Sequence, residues 1–169
     1  MLKKNTVFIL LTGLILTGCE DDEPTNPPPI LSLSSSSSSI TVGDSTTISI
    51  ELADLETSVF GVSMQISYNT SVVEVDTTSG FVQGAYFGTN AISLFEIVHD
   101  TIHFSISAIH GDAMVNGTGK LCDFAVTGLS TGTSTFTIVP EEIYFIDDNG
   151  DAVIITDLEV GDLTITISQ

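Results

Sequence analysis

The sequence predicts an all-β domain, an antiparallel two-sheet β-sandwich of about nine short strands. Three observations predict it. Apolar and polar residues alternate with a period of two from Ile40 onward. No window of twelve residues carries a helical period. Turn-forming residues separate the runs, at Val42-Gly43-Asp44, Tyr68-Asn69-Thr70, His99-Asp100, Asn116-Gly117 and Asp148-Asn149-Gly150.

Two segments precede the domain. In residues 1–18, Lys3 and Lys4 stand before the apolar stretch Val7 to Leu16. A stretch of about ten residues suits a secretory signal, whose apolar region runs to roughly 7–15. It is too short to span a bilayer, which takes about 20. Leu16-Thr17-Gly18-Cys19 then looks like a bacterial lipobox, with small residues before a cysteine that carries diacylglycerol. Cys19 is therefore the expected lipidation site of an exported, membrane-anchored lipoprotein at the outer membrane or cell surface. More than one acyl chain is needed for stable anchoring. Residues 19–39 read as a spacer. Glu20 to Pro29 is acidic and proline-rich and cannot bury a core, and the six-serine run Ser34 to Ser39 belongs with the spacer or with a loose first strand.

The domain is expected over residues 40–169. Thr46 to Leu52 places Ile48, Ile50 and Leu52 on one face. Val59 to Tyr68 places Phe60, Val62, Met64, Ile66 and Tyr68 inward, with Gly61, Ser63, Gln65 and Ser67 outward. Short strands follow at Val72 to Val75 and Ile92 to Val98. Thr101 to Ala108 turns Ile102, Phe104, Ile106 and Ala108 inward and His103, Ser105 and Ser107 outward. Lys120 to Thr127, Thr133 to Val139, Glu142 to Ile146 and Asp162 to Ile167 complete the set.

Charge excludes whole classes of partner. Lys120 is the only Lys or Arg after Cys19, and all 22 acidic residues lie there too, so the mature chain has a net charge near −21 (22 acids minus one lysine). Nucleic acid is excluded, because phosphate binding needs Lys and Arg. An anionic membrane surface is repelled as well, so lipid has to do the anchoring. The charge suits a salty or calcium-rich medium or a basic partner, and it serves solubility by itself. Cys122 is the only other cysteine, so the mature domain holds no internal disulfide. It sits in an alternating apolar pattern and reads as a buried, inert thiol.

Three residue sets could carry chemistry. Asp147, Asn149 and Asp151 alternate as oxygen ligands that could hold Ca2+. They do not form an EF-hand loop, since Ala152 and Leu158 stand where glycine and glutamate are required. A plain Asn-Gly turn explains the same residues without an ion. His99 and His103 flank Asp100, a set that could bind zinc, although nothing fixes its geometry. Glu141-Glu142 and Glu74 with Asp76 are paired carboxylates of the glycosidase type. Aromatic platforms are missing, with no Trp and three Tyr, and no serine sits in a nucleophile turn. The chain is accordingly read as non-enzymatic, with no required cofactor.

Ile40-Thr41-Val42-Gly43-Asp44 before an alternating strand resembles the opening of cohesin domains. The strand ending Tyr68-Asn69-Thr70, followed by Val72-Val73-Glu74-Val75, resembles their Tyr-Asp-Pro and Val-Leu-Glu-Val pair. Phe104 to Ala108, Gly119 to Thr127 and Ile143 to Gly150 match later stretches in order. The resemblance covers about residues 40–168.

The resemblance implies a nine-stranded jelly roll that binds dockerins, which are small calcium-loaded helical modules carried by enzymes that often degrade polysaccharides. It implies a binding face on the third, fifth, sixth and eighth strands. Carried over, that face presents Gly61, Ser63, Gln65, His103, Ser105, Ser107, Ile109 and Tyr144. The family's contacting asparagine and aspartate fall on Gly61 and Ser63, and its glutamate falls near Ile109. Small hydroxylated residues on a flat sheet could accept a helix, and a solvated sheet face looks much the same. The expected function is recruitment of dockerin-bearing or similar proteins to the cell surface. Direct glycan binding, as by a carbohydrate-binding module, and a structural or adhesive role are the alternatives; Tyr86 and Tyr144 are the only obvious stacking residues for glycan.

Overall fold

The computed structural model describes residues 26–78 and 80–169. The signal segment 1–18, the expected lipid site Cys19 and spacer residues 20–25 lie outside the described residues. In chain order the strands are β1 (Ile30–Ser35), β2 (Ser39–Thr41), β3 (Ser45–Val59), β4 (Gly61–Ser67), β5 (Val73–Asp76), β6 (Val82–Gln83) and β7 (Ile92–Val98). Then follow β8 (Thr101–Ser107), β9 (Val115–Gly128), β10 (Gly132–Ile138), β11 (Tyr144–Ile146), β12 (Ala152–Val153), β13 (Glu159–Gly161) and β14 (Leu163–Ser168). Among the described residues the only helical element is the 3-10 turn Pro140–Glu142.

Two sheets form the sandwich. The first runs β13-β1-β3-β9-β5, with β6 also on β9. The second runs β7-β8-β4; β4 then pairs with β11 along its first half and β10 along its second. From there β10 continues to β14 and β2, and β11 to β12. Most pairs are antiparallel, as the short turns require. Two pairs, β1–β13 and β2–β14, are parallel, so both sheets are mixed.

Alternation decides which residues face inward. Ile48, Ile50 and Leu52 of β3 meet Met64, Ile66, Ile102, Phe104 and Ile106 of the second sheet in one fully or nearly fully buried core. Phe124 lies between them, packed on Phe95 (5.3 Å) and Phe136 (6.2 Å). Truncating a buried phenylalanine of this kind costs about 3–5 kcal/mol. Leu121 and Cys122 are both buried, although they are sequence neighbours. The register explains this: Ile50 pairs with Cys122 and Glu51 with Lys120, so Leu121 is the extra residue of a β-bulge.

The structure corrects the expected start of the domain. The spacer does not extend to residue 39. Ile30–Ser35 pairs with Ile48–Ala53, and Leu31 and Leu33 are buried. The serines of β1 are the outward partners of those two leucines. Ser36 to Ser38 carry the chain from the first sheet to the second. Their backbone and hydroxyls hold Thr46, which is buried: Ser37 N–H donates to Thr46 Oγ1 (3.0 Å) and Ser36 Oγ bonds the same oxygen (3.0 Å). Phe60 is also moved. It marks the passage from β3 to β4 and is half-buried, while Val59 occupies the core. The expected strand over Glu142 to Ile146 begins only at Tyr144, because Pro140 opens the 3-10 turn.

Candidate partner-binding face

The outer face of the second sheet is assembled row by row from the pairing register. One row reads Ile92, Ser107, Gly61, Ile146 across β7, β8, β4 and β11. The next reads Leu94, Ser105, Ser63, Tyr144. The third reads Glu96, His103, Gln65, and Gln65 Nε2 donates to Glu142 Oε2 (3.0 Å). Seven of the eight residues expected on a binding face (Gly61, Ser63, Gln65, His103, Ser105, Ser107 and Tyr144) therefore share one surface. Ile109 lies two residues beyond β8, exposed, at the Ser107 end.

This surface is a trough. The floor over β8 and β4 is built from Ser105, Ser107, Ser63 and Gly61. The walls are Ile92 and Leu94 on β7 and Tyr144 and Ile146 on β11, and they enclose a groove of about 290 Å³. Ile92 is 65% exposed, Leu94 55% and Tyr144 54%. Gly61 is dictated by the floor: a Cβ there would lie 2.9 Å from Ser107 Cβ and 3.0 Å from the Ile106 carbonyl oxygen. A larger side chain at this position does not fit.

The β7 wall was missed by sequence reasoning. Its signal lay in Ile92-Ser93-Leu94-Phe95-Glu96-Ile97-Val98, which is apolar on both faces. That pattern suits a strand covered on both sides. Yet among the described residues β7 is an edge strand paired only with β8, and its outward apolar residues are exposed. Exposed large apolar residues gathered around a groove mark an interaction surface.

The other residue sets stay local. Asp147 caps its own turn: its Oδ1 accepts the N–H of Asn149 (2.9 Å) and of Asp151 (2.9 Å). The backbone N–H of Asp151 and, less strongly, that of Asn149 hold its carboxyl below the usual carboxylate range. His99 sits at the β7–β8 hairpin in a left-handed conformation (φ 59°), and His103 stands on the sheet face. Among the described residues no three His, Cys, Asp or Glu side chains converge as a metal site. Glu74 and Asp76 lie on β5 of the other sheet, and Asp76 Oδ1 accepts the Thr78 N–H (2.8 Å). Cys122 is fully buried, and burial pushes its thiol far up. Lys120, on the first sheet, is bound to Asp123 (2.9 Å). A second groove of about 460 Å³ lies beyond Tyr144, beside Val153 and the 84% exposed Ile154.

No protein-family model matches the chain, and no curated protein matches it. Solved structures do. A non-cellulosomal cohesin from the hyperthermophilic archaeon Archaeoglobus fulgidus is 16% identical with a TM-score of 0.65, over 85% of this chain and 93% of that one. A type II cohesin domain from the cellulosome of Acetivibrio cellulolyticus is 18% identical with a TM-score of 0.67, over 82% and 95%. A type I cohesin–dockerin complex from Clostridium thermocellum is 15% identical with a TM-score of 0.61, over 83% and 94%. At these identities the likeness establishes the fold. The described domain is a cohesin-like β-sandwich of jelly-roll type.

Proposed function

We propose that this chain is a non-catalytic capture module that binds a dockerin-like protein on the outer face of β7, β8, β4 and β11. The observation that carries the reading is the trough itself. A water-facing sheet has no use for Ile92, Leu94 and Tyr144 standing half-exposed around a floor of serine and glycine. Small floor residues let a partner's backbone come close, and the apolar walls supply burial of about 25 cal/mol per Å². The cohesin-like fold supports a dockerin-like protein as the kind of partner, since cohesin–dockerin complexes are among the similar structures.

The lipobox-like Leu16-Thr17-Gly18-Cys19 gives the module its address. A lipid on Cys19 would hold one end at a membrane, and the acidic, proline-containing stretch after it would hold the domain away from the surface. The captured protein would then be retained at the cell surface. Calcium in this reading belongs to the partner and not to Asp147, Asn149 or Asp151.

Pull-down with calcium-loaded dockerin modules from the same genome tests the capture. Retention of at least one module is expected. Retention of none, with binding to insoluble polysaccharide instead, overturns the reading in favour of direct glycan binding. Labelling with a radioactive fatty acid tests the anchor: label is expected on the wild type and absent from Cys19→Ala.

A further inference from the structure

The trough has a third row whose walls change character. On β7 the outward series is Ile92, Leu94, Glu96, and Glu96 is exposed. On the opposite side, past Tyr144, Glu142 reaches Gln65. The two carboxylates thus bracket His103 and Gln65 on the floor. No Lys or Arg of the described residues stands on this face, because Lys120, the only one, is on β9 of the other sheet and bound to Asp123. His103 is the one imidazole between Glu96 and Glu142, and no permanent cation of the described residues stands with it.

Dimensions limit what can lie here. The walls on β7 and β11 are three strand spacings apart, about 14 Å. That admits one α-helix, which is about 10–12 Å across with its side chains. Successive rows lie two strand residues apart, about 6.8 Å. Four residues of helix rise about 6 Å and return to the same side. A second copy of this chain is disfavoured, since each copy brings the 22 acidic residues of the sequence less Glu20, Asp21, Asp22 and Glu23, which is 18, against Lys120.

We infer that the occupant of the trough is a partner helix with apolar residues at i and i+4 and a lysine or arginine at i+8. The apolar pair lies between the Ile92–Leu94 and Tyr144–Ile146 walls, and the cation lies between Glu96 and Glu142. This deepens the capture reading and rests on it: it names the chemistry of the segment that the face selects. The apolar rows supply affinity, and the carboxylate row sets which way along the trough the helix points, because a cation is favoured at one end only.

Two helix-stabilised peptides of about 14 residues test it by titration into the full-length protein. One carries leucine at i and i+4 and lysine at i+8. The other has the same composition, with that lysine moved to i+6 on the opposite side of the helix. Net charge is equal, so general attraction to an acidic protein cancels. The first peptide is expected to bind about fivefold more tightly at low salt and to shift the methyl resonances of Ile92, Leu94 and Ile146. The double variant Glu96→Gln, Glu142→Gln is expected to remove the preference and keep the methyl shifts. Equal binding of the two peptides, or an unchanged preference in the double variant, overturns the inference. A dockerin module that docks on this face through a helix with no basic residue at that spacing also overturns it and leaves the capture reading standing. Failure of every dockerin module to bind, with the peptide preference intact, removes the dockerin and keeps the helix signature.

Discussion

The two outer faces of the sandwich come from strands of similar composition, and they are finished differently. On the first sheet the polar side chains bond one another. Ser49 Oγ donates to Asp123 Oδ1 (2.5 Å), Ser45 Oγ bonds Thr127 Oγ1 (2.8 Å), and Lys120 is held by Asp123 (2.9 Å). On the second sheet Ser63, Ser105 and Ser107 make no side-chain hydrogen bond among the described residues, and large apolar groups stand beside them in water. Serine has opposite meanings in the two places. On the first sheet it closes a cross-strand pair; on the second it leaves room. A face that satisfies itself is a solvated surface, whereas a face that leaves small unpaired hydroxyls between exposed apolar walls is set up for a partner.

The largest break of this contrast comes from Leu94→Asp. It places a charge in the wall and should weaken capture at least about 100-fold, as loss of a central anchor does. Stability should move by less than about 0.5 kcal/mol because Leu94 is exposed, so thermal unfolding separates the two effects. Gly61→Ala comes next. The new methyl meets Ser107 and the Ile106 carbonyl, so chemical denaturation should show a loss of about 1–3 kcal/mol, with capture weakened as the floor is pushed up.

The first sheet should respond in the opposite sense. Ser49→Ala removes a hydroxyl–carboxylate bond and should cost about 1 kcal/mol in denaturant melts while leaving capture unchanged. The smallest effect is at the Asp147 turn. Its carboxyl is held below the ordinary range in the folded protein, so the turn's contribution is present above the unfolded value of about 3.9 and is lost as pH falls through the folded one. Between about pH 5 and pH 2 the wild type should therefore lose more thermal stability than Asp147→Asn. Equal losses would show that the cap contributes nothing.

Much of this was legible in the sequence. Strict alternation in Val62 to Tyr68 and Ile102 to Ala108 placed β4 and β8, and with them the floor of the trough. The cohesin resemblance added Tyr144 on the far side. The β7 wall was less visible because its residues are apolar on both faces, and local pattern cannot say whether a second cover is the protein's own or a partner's. The first strand was hidden because it runs into the serine tract, and only Leu31 and Leu33, just ahead of that tract, report its burial. The bulge at Leu121 broke the period within β9. The pairs β1–β13 and β2–β14 join segments far apart in the chain, and no local pattern encodes such pairing.

The central claim, that the outer face of the second sheet is the docking surface, is tested most directly by one side-by-side pull-down. Wild type, Leu94→Asp and the first-sheet variant Ser49→Ala are offered the same calcium-loaded dockerin modules. The account predicts retention by wild type and Ser49→Ala and none by Leu94→Asp. Undiminished retention by a folded Leu94→Asp protein would contradict it.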